Sequence, residues 1–108
     1  FESISMTNFI ARRAEGWAPY ILDVRSLMEY HQAHVVSCDH QVPHESVLSS
    51  LDVLPKDNDI VIHCKSGMRS QVAAMILIQA GMNGSKLYNL EGGIIAWQAA
   101  LPEEIMSS

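Results

Sequence analysis

Apolar residues along the chain fall into short β-branched runs and longer runs with helical spacing. The short runs predict strands over 20–24, 34–36, 60–62 and 86–89, and the first is apolar on both sides, as expected of a sheet covered on both faces. The longer runs predict helices over 5–15, 26–32, 43–51, 70–80 and 94–100. Because strands and helices alternate, we predict an α/β fold with a mostly parallel central sheet and helices on both faces.

Local signals mark where several of these elements begin and end. Ser5 is a candidate N-cap, and Ser26 with Glu29 has the spacing of a capping box. The helix over 70–80 is apolar on almost every side, which predicts that it is mostly buried. Pro102 ends the last helix, so we expect the tail that follows it, through Ser108, to be loose.

Length and charge restrict the protein class. With 108 residues and 48% hydrophobic residues, the chain is expected to form one domain over 1–108. Since Phe1 is not a start methionine, we also consider a fragment of a larger protein.

A net charge of −5 argues against nucleic acid or an anionic membrane as a partner. No run of transmembrane length and no signal peptide are apparent, so a cytoplasmic location is expected.

The most informative segment is 59–70, in which a strand-like run ends at Cys64 and a helix-like run opens at Ser70. Between them lies the short loop Lys65-Ser66-Gly67-Met68-Arg69. A loop that connects a strand to a helix N-terminus directs backbone N–H groups at an anion. Ligands of open α/β sheets also bind at the carboxyl ends of the strands, so this loop is the predicted site.

Cys64 is the candidate nucleophile. An ordinary thiol is only about 3% ionised at pH 7, whereas the loop amides, Lys65 and Arg69 are all expected to favour the thiolate. Gly67 provides backbone freedom, and Arg69 provides a forked cation for an anionic substrate. Asp23 and Arg25, at the end of an earlier strand, are expected to face this loop. The alternative for Cys64 is a buried, inert thiol.

Segment 31–44 carries a second group of polar side chains that invites a metal hypothesis. Its members are His31, His34, Cys38, Asp39, His40 and His44. Their spacing matches no standard zinc pattern, so we predict no metal site and largely exposed histidines. Cys38 is interpreted either as a small core residue or as a second thiol that resolves an oxidised Cys64.

Four motifs in order resemble the rhodanese domain. The loop Cys64–Ser70 resembles the family's active-site pattern C-x-x-G-x-R-[ST], and Tyr20–Arg25 is similar to its first core strand with D-V-R. The stretch from Glu29 to Val35, followed by Val42-Pro43, is similar to its E-[YF] and G-H-[IV] motifs and their closing I-P. Between them the chain departs from the family, which usually has Gly and then Ala or Ser at the positions of Ser37 and Cys38. Segment 89–97 is similar to the C-terminal N-L-x-G-G-[IV]-x-x-W.

This resemblance implies a sulfurtransferase that needs no metal or organic cofactor. Cys64 would carry the sulfur as a persulfide, the loop Lys65–Ser70 would bind a small anionic donor such as thiosulfate or a protein persulfide, and Asp23 and Arg25 would support the loop. The sequences of the loop and C-terminal motifs are especially similar to those of the rhodanese domain appended to adenylyltransferases of molybdopterin and thiamine sulfur pathways. There the sulfur acceptor is a ubiquitin-like sulfur-carrier protein. A free-standing single-domain rhodanese is equally compatible.

Two other functions are considered. The dual-specificity phosphatases share this fold and a cysteine and arginine loop, which makes phosphatase or arsenate reductase activity an alternative. In that branch the loop is one residue longer, whereas here four residues separate Cys64 from Arg69, the length associated with sulfur transfer. The other alternative is a non-catalytic interaction module, as arises when such domains lose the cysteine. Cys64 is present, which weighs against it.

Overall fold

The computed structural model describes residues 1–107. In chain order the helices and strands are β1 (Glu2–Ile4), α1 (Met6–Ala14), β2 (Tyr20–Asp23), α2 (Leu27–Gln32), β3 (Ala33–Val35), β4 (His40–Gln41), β5 (Ile60–His63), α3 (Met68–Gln79), β6 (Leu87–Leu90), α4 (Gly93–Ala100) and β7 (Ile105–Ser107). Short 3₁₀ helices cover His44–Ser50, Gly84–Lys86 and Pro102–Glu104. No helix within residues 1–107 is long and apolar enough to cross a membrane.

The central sheet is parallel throughout, with the strand order β1-β6-β5-β2-β4. In the middle of the sheet Asp23 of β2 pairs in register with His63 of β5, and Ile62 of β5 pairs with Asn89 of β6. The carboxyl ends of three neighbouring strands therefore meet at one edge. This is the edge at which the loop after β5 leaves the sheet.

Two apolar clusters pack on opposite faces of this sheet, because successive strand residues point to opposite sides. Ile60 and Ile62 of β5 belong to one cluster, which α3 covers, and Val61 belongs to the other, which α1 and α4 cover. All three side chains are fully buried. The predicted fold class, a parallel sheet with helices on both faces, is confirmed.

The local signals at two helix starts are also confirmed. The Ser5 hydroxyl accepts a hydrogen bond from the Asn8 N–H at 3.1 Å at the start of α1. Ser26 and Glu29 form the complete capping box of α2, with the Glu29 carboxylate accepting from the Ser26 N–H. These interactions join residues three apart, which is why sequence spacing alone identifies them.

Three short strands were absent from the predicted pattern. They are β1, β4 and β7, each of two or three residues. The prediction of a loose tail after Pro102 is wrong over 105–107, because β7 pairs antiparallel with β3, with Val35 opposite Ile105. Ser108 lies outside the described residues. Strands this short carry no measurable periodicity, and they form because a partner strand is available.

Two predictions about helices need correction. The segment predicted as a helix over 43–51 forms a 3₁₀ helix, and Leu48, expected beside Val47 on its inner face, is exposed. Helix α3 begins at Met68, two residues earlier than predicted. It is also less buried than expected, since Val72 and Met75 are 47% and 55% exposed. The sheet covers only one side of this helix.

Candidate active site

The Cys64 sulfur lies at the end of β5, directly in front of the first turn of α3. The side chain is 1% exposed, and the Gly67 N–H donates to its Sγ at 3.1 Å. Gly67 has φ of +112°, a conformation that favours glycine, and it precedes the first residue of α3. The loop therefore curls back so that its backbone N–H groups point at the sulfur, as the sequence predicted.

Ser70, in the first turn of α3, completes the immediate surroundings of the sulfur. Its Oγ lies 3.4 Å from Cys64 Sγ, and its hydroxyl donates to Oδ1 of Asn89 at 2.5 Å. Ser70 and Asn89 are both buried. The sequence analysis named Ser70 only as a loop residue and gave Asn89 no role, although Asn89 opens the fourth family-like motif.

The surroundings of Cys64 favour its ionised form. Burial by itself raises the pKa of Cys64, but hydrogen bonds from the Ser70 side chain and from the backbone of Ser70, Gly67 and Ser66 outweigh it, so the pKa of the thiol lies below its ordinary value. The predicted direction agrees with this. The predicted cause is confirmed for the loop amides, whose N–H groups are among the main lowering contributions. It is wrong for the charges of Lys65 and Arg69, because the Ser70 side chain rather than either cation is the other main lowering contribution.

Arg69 has a partner that the sequence analysis did not assign. Its guanidinium forms a bidentate pair with the Glu29 carboxylate, at 2.8 and 2.9 Å. This pair holds the pKa of Glu29 down to about 2. The arginine thus connects the start of α3 to α2, and since the pair is about one-third exposed, its remaining N–H groups border solvent.

Lys65, Ser66 and Met68 lie on the outer side of the loop, where all three are exposed. Beside Lys65 is a cleft of about 230 Å³ between the loop, α2 and α4. Its lining includes Arg25, Glu29, Lys65, Ile94, Ile95 and Gln98. No ion pair joins Lys65 to an acidic side chain within residues 1–107, so its ammonium is available to an anion.

Asp23 and Arg25 form a buried ion pair behind the loop. Arg25 donates to both carboxylate oxygens of Asp23, the shortest contact being 2.7 Å, and to the backbone oxygen of Ala33 at 2.8 Å. Asp23 Oδ2 lies 3.9 Å from Nε2 of His63, the residue before Cys64. The ion pair therefore contacts His63, the residue that precedes the loop, rather than the loop itself. Through the hydrogen bond from Arg25 to Ala33 it also connects the end of β2 to β3.

His63 is buried, and burial lowers its pKa, so its ring is neutral at pH 7. The imidazole lies edge-on to the Trp97 ring, with 5.6 Å between the ring centroids. Its Nε2 has no hydrogen-bond partner within the described chain. The residue therefore acts mainly as a packing group between β5 and α4.

The histidines and Cys38 of segment 31–44 do not line the cleft beside the loop. Within residues 1–107 no group of three or more His, Cys, Asp or Glu side chains is arranged to hold a metal ion. The histidines are less exposed than predicted, and His40 Nε2 lies 2.8 Å from Ser50 Oγ. Cys38 donates to the His40 carbonyl at 3.2 Å, and burial raises its pKa to about 11. Cys38 is therefore a protonated thiol at pH 7.

The start of α4 holds the loop from the other side. The Ile94 N–H donates to the Cys64 carbonyl at 2.9 Å, and the Ile95 N–H donates to the Lys65 carbonyl at 3.3 Å. Gly93 allows this approach, because a Cβ there would lie 2.5 Å from both the Cys64 and Lys65 carbonyl oxygens. Backbone packing of α4 on the loop thus fixes the position of the cysteine.

Gly93→Ala is expected to destabilise the protein strongly. The left-handed backbone at Gly93, with φ of +55°, costs about 1–2 kcal/mol for alanine, and overpacking against two rigid carbonyls costs about 1–3 kcal/mol. Urea denaturation measures the loss. Gly16→Ala is the matched control, because Gly16 also has positive φ but its added Cβ would meet nothing within 4 Å. Equal losses in the two variants would contradict the close docking of α4.

Comparison with known proteins agrees with this geometry. The rhodanese-like domain model matches residues 5–100. A sulfurtransferase from Allochromatium vinosum is 38% identical over 77 residues, which cover 71% of this chain and 69% of that protein. The probable adenylyltransferase/sulfurtransferase MoeZ of Mycobacterium tuberculosis is 33% identical over 90 residues, and the match covers 80% of this chain but only 22% of MoeZ.

A solved structure shows the same fold. The crystal structure of a rhodanese-like domain protein from Staphylococcus aureus superimposes with a TM-score of 0.78 at 25% sequence identity, covering 90% of this chain and 91% of that one. The family model spans most of the chain, and the sheet order, the loop after β5 and the docked α4 all lie within it. The chain belongs to the rhodanese-like domain family.

Proposed function

We propose that the chain is a sulfurtransferase in which Cys64 accepts a sulfane sulfur as a persulfide and passes it to a thiophilic acceptor. The observation that carries this proposal is the hydrogen bonding of the Cys64 sulfur, which the Gly67 N–H and the Ser70 hydroxyl approach to 3.1 and 3.4 Å. Such a cradle stabilises negative charge on sulfur. Relatives named as sulfurtransferases support the same reading.

The first half-reaction is an attack of the Cys64 thiolate on the outer sulfur of thiosulfate. A bond forms between the two sulfur atoms, the bond from the outer sulfur to the sulfonate sulfur breaks, and sulfite leaves with its electron pair. The product is a Cys64 persulfide anion. Loop N–H groups such as that of Gly67 stabilise the terminal sulfur in the manner of an oxyanion hole.

In the second half-reaction the acceptor attacks the terminal sulfur and Cys64 leaves as a thiolate. With cyanide as the acceptor the product is thiocyanate, and the enzyme returns to its starting state. A thiol with a lowered pKa is a better leaving group, so the same hydrogen bonds assist both half-reactions. No metal or organic cofactor takes part in either step.

The physiological donor is proposed to be a small anion or a protein persulfide. Lys65 stands exposed at the mouth of the cleft beside the loop and provides the first cation that an anionic donor meets. The proposed acceptor is a ubiquitin-like sulfur-carrier protein, as the resemblance to domains appended to adenylyltransferases implies, and the match to part of MoeZ, a probable adenylyltransferase/sulfurtransferase, supports that resemblance. The buried position of the sulfur requires that donor and acceptor present a narrow terminal atom.

The direct test is to incubate the protein with thiosulfate and cyanide and to measure thiocyanate, with p-nitrophenyl phosphate hydrolysis measured in parallel. We expect thiocyanate formation and no phosphate release, because four residues separate Cys64 from Arg69, which is the shorter loop form that the family resemblance associates with sulfur transfer. Phosphate release without thiocyanate would favour the phosphatase alternative. Neither activity would favour the interaction module.

Arg69→Ala tests how the anionic donor is bound. Loss of a charge-assisted hydrogen bond is expected to lower kcat/KM for thiosulfate at least about tenfold, mainly through KM. Glu29→Gln is the informative control, because it removes the charge that Arg69 now faces while keeping the size of the side chain. This variant should leave KM unchanged or lower it. An equal loss in both variants would mean that the pair is only structural.

A further inference from the structure

The Ser70 hydroxyl lies between two acceptors that compete for its single proton. One is Asn89 Oδ1, at 2.5 Å, and the other is the Cys64 sulfur, at 3.4 Å. All three side chains are buried, with exposed fractions of 1% or less, so water is poorly placed to satisfy any of them. Asn89 is held rigidly near the end of β6, where it pairs with Ser3 on one side and Ile62 on the other.

The protons in this chain of three groups can be counted. When Cys64 is a thiol, its S–H donates to Ser70 Oγ and the Ser70 hydroxyl donates to Asn89. When the thiol proton has left to solvent, the thiolate needs a donor, and the Ser70 hydroxyl can supply one only by turning away from Asn89. Because the Ser70 hydroxyl has one proton, a hydrogen bond from Ser70 to Asn89 removes the hydrogen bond that Ser70 could donate to the thiolate.

We propose that Asn89 is a positioning residue that holds the Ser70 hydroxyl proton away from the Cys64 sulfur and thereby limits how strongly the thiolate is stabilised. The inference rests on the proposed function for its consequence in catalysis. The nucleophilicity of a thiolate falls as its basicity falls, and a thiol that ionises near ambient pH attacks fastest. By holding the Ser70 proton, Asn89 keeps the Cys64 thiolate more basic, and therefore more nucleophilic, than it would be with a full hydrogen bond from Ser70.

Other charged groups around Cys64 also influence its ionisation and stay unchanged in the test. The loop contributes Lys65, and α3 contributes Arg69, which is paired with Glu29 of α2. Strands β2 and β5 contribute the Asp23–Arg25 pair and the neutral His63. The first turn of α4 carries no acidic side chain. Asn89 is uncharged, so its replacement by leucine changes hydrogen bonding without changing charge.

The test is the pH dependence of alkylation of Cys64 by iodoacetamide, measured with the full chain in a Cys38→Ser background so that one thiol reacts. Asn89→Leu frees the Ser70 hydroxyl for the sulfur and should lower the alkylation midpoint by about one pH unit. Asn89→Asp keeps the size of the side chain and, when ionised, accepts more strongly from Ser70 and adds a negative charge near the sulfur, so it should raise the midpoint. Ser70→Ala removes the donor and should also raise it.

A merely structural role for Asn89 predicts a different result. Loosening the loop would weaken the cradle, so both Asn89 variants would raise the midpoint. In the Ser70→Ala background the shift caused by Asn89→Leu should disappear, since its effect passes through Ser70. A raised or unchanged midpoint for Asn89→Leu, or a shift that persists without the Ser70 hydroxyl, would overturn the proposal. If Asn89→Leu does not fold, the midpoint shift caused by Asn89→Asp is compared with and without the Ser70 hydroxyl. A shift that is as large in the Ser70→Ala background as in the unmodified chain overturns the proposal.

This experiment separates failure of the inference from failure of the proposed function. Alkylation depends only on the thiol and needs no sulfur donor. If the midpoints move as expected but no sulfur transfer occurs, the proposed function fails and the role of Asn89 in ionisation stands. If sulfur transfer occurs but the midpoints do not move, only the role of Asn89 fails.

Discussion

Cys64→Ser is expected to lower thiocyanate formation by about 10⁴-fold or more, as removal of a covalent nucleophile does in other enzymes. A serine hydroxyl is un-ionised at pH 7 and forms no stable bond to a sulfane sulfur, so neither half-reaction can proceed. The fold should persist, because serine is slightly smaller than cysteine and still accepts from the Gly67 N–H. The initial rate of thiocyanate formation measures the effect.

Cys38→Ser is the matched control for this prediction. It makes the same chemical change at the other free thiol, which donates to a backbone carbonyl and has a raised pKa of about 11. Serine at this position still has a donor for the His40 carbonyl, so turnover should stay close to that of the unmodified chain. Substantial turnover in Cys64→Ser would refute the assignment of Cys64, and a large loss in Cys38→Ser would revive its role as a resolving thiol.

Arg25→Met is expected to destabilise the protein by about 3–5 kcal/mol, the usual cost of removing one partner of a buried ion pair. Asp23 is 0% exposed, and Arg25 supplies hydrogen bonds to both of its carboxylate oxygens. Methionine fills the space of the stem but leaves the carboxylate without its cation. Urea denaturation followed by circular dichroism gives the free energy of unfolding.

Arg13→Met makes the same substitution in a partly exposed pair. Arg13 contacts Glu104 at 2.7 Å, but both side chains are 28% exposed, so solvent screens their interaction and the expected loss is about 0–1 kcal/mol. The two variants compare the loss of a cation from a buried pair with its loss from a partly exposed pair. Similar losses in both would mean that Asp23 finds another partner or water when Arg25 is removed, and would contradict its role as the fixed support behind His63.

The sequence predicted those features that depend on neighbours close in the chain. Ser26 and Glu29 of the capping box are three positions apart, and the strand, loop and helix around Cys64 form one continuous segment from Ile60 to Gln79. Such segments carry their own signals, namely cap residues, a glycine at a positive φ angle and apolar periodicity. The fold class followed because these segments alternate along the chain.

The features that were missed depend on contacts between distant residues. Arg69 meets Glu29 across 40 positions, and Ser70 meets Asn89 across 19. Neither pairing has a periodicity or spacing by which it could be recognised. The third case is β7, which forms only because β3 offers a free edge. Family-like motifs placed Asn89 and Gly93 near the site but could not state what each of them touches.

The central claim is that Cys64 carries a sulfane sulfur, and the intact mass of the protein after incubation with thiosulfate tests it most directly. The proposed function predicts a gain of one sulfur atom, about 32 Da, that reductant removes, that persists in Cys38→Ser and that is absent from Cys64→Ser. A mass unchanged by thiosulfate, or a gain that remains in Cys64→Ser, would contradict the proposal that this cysteine accepts sulfur from the donor.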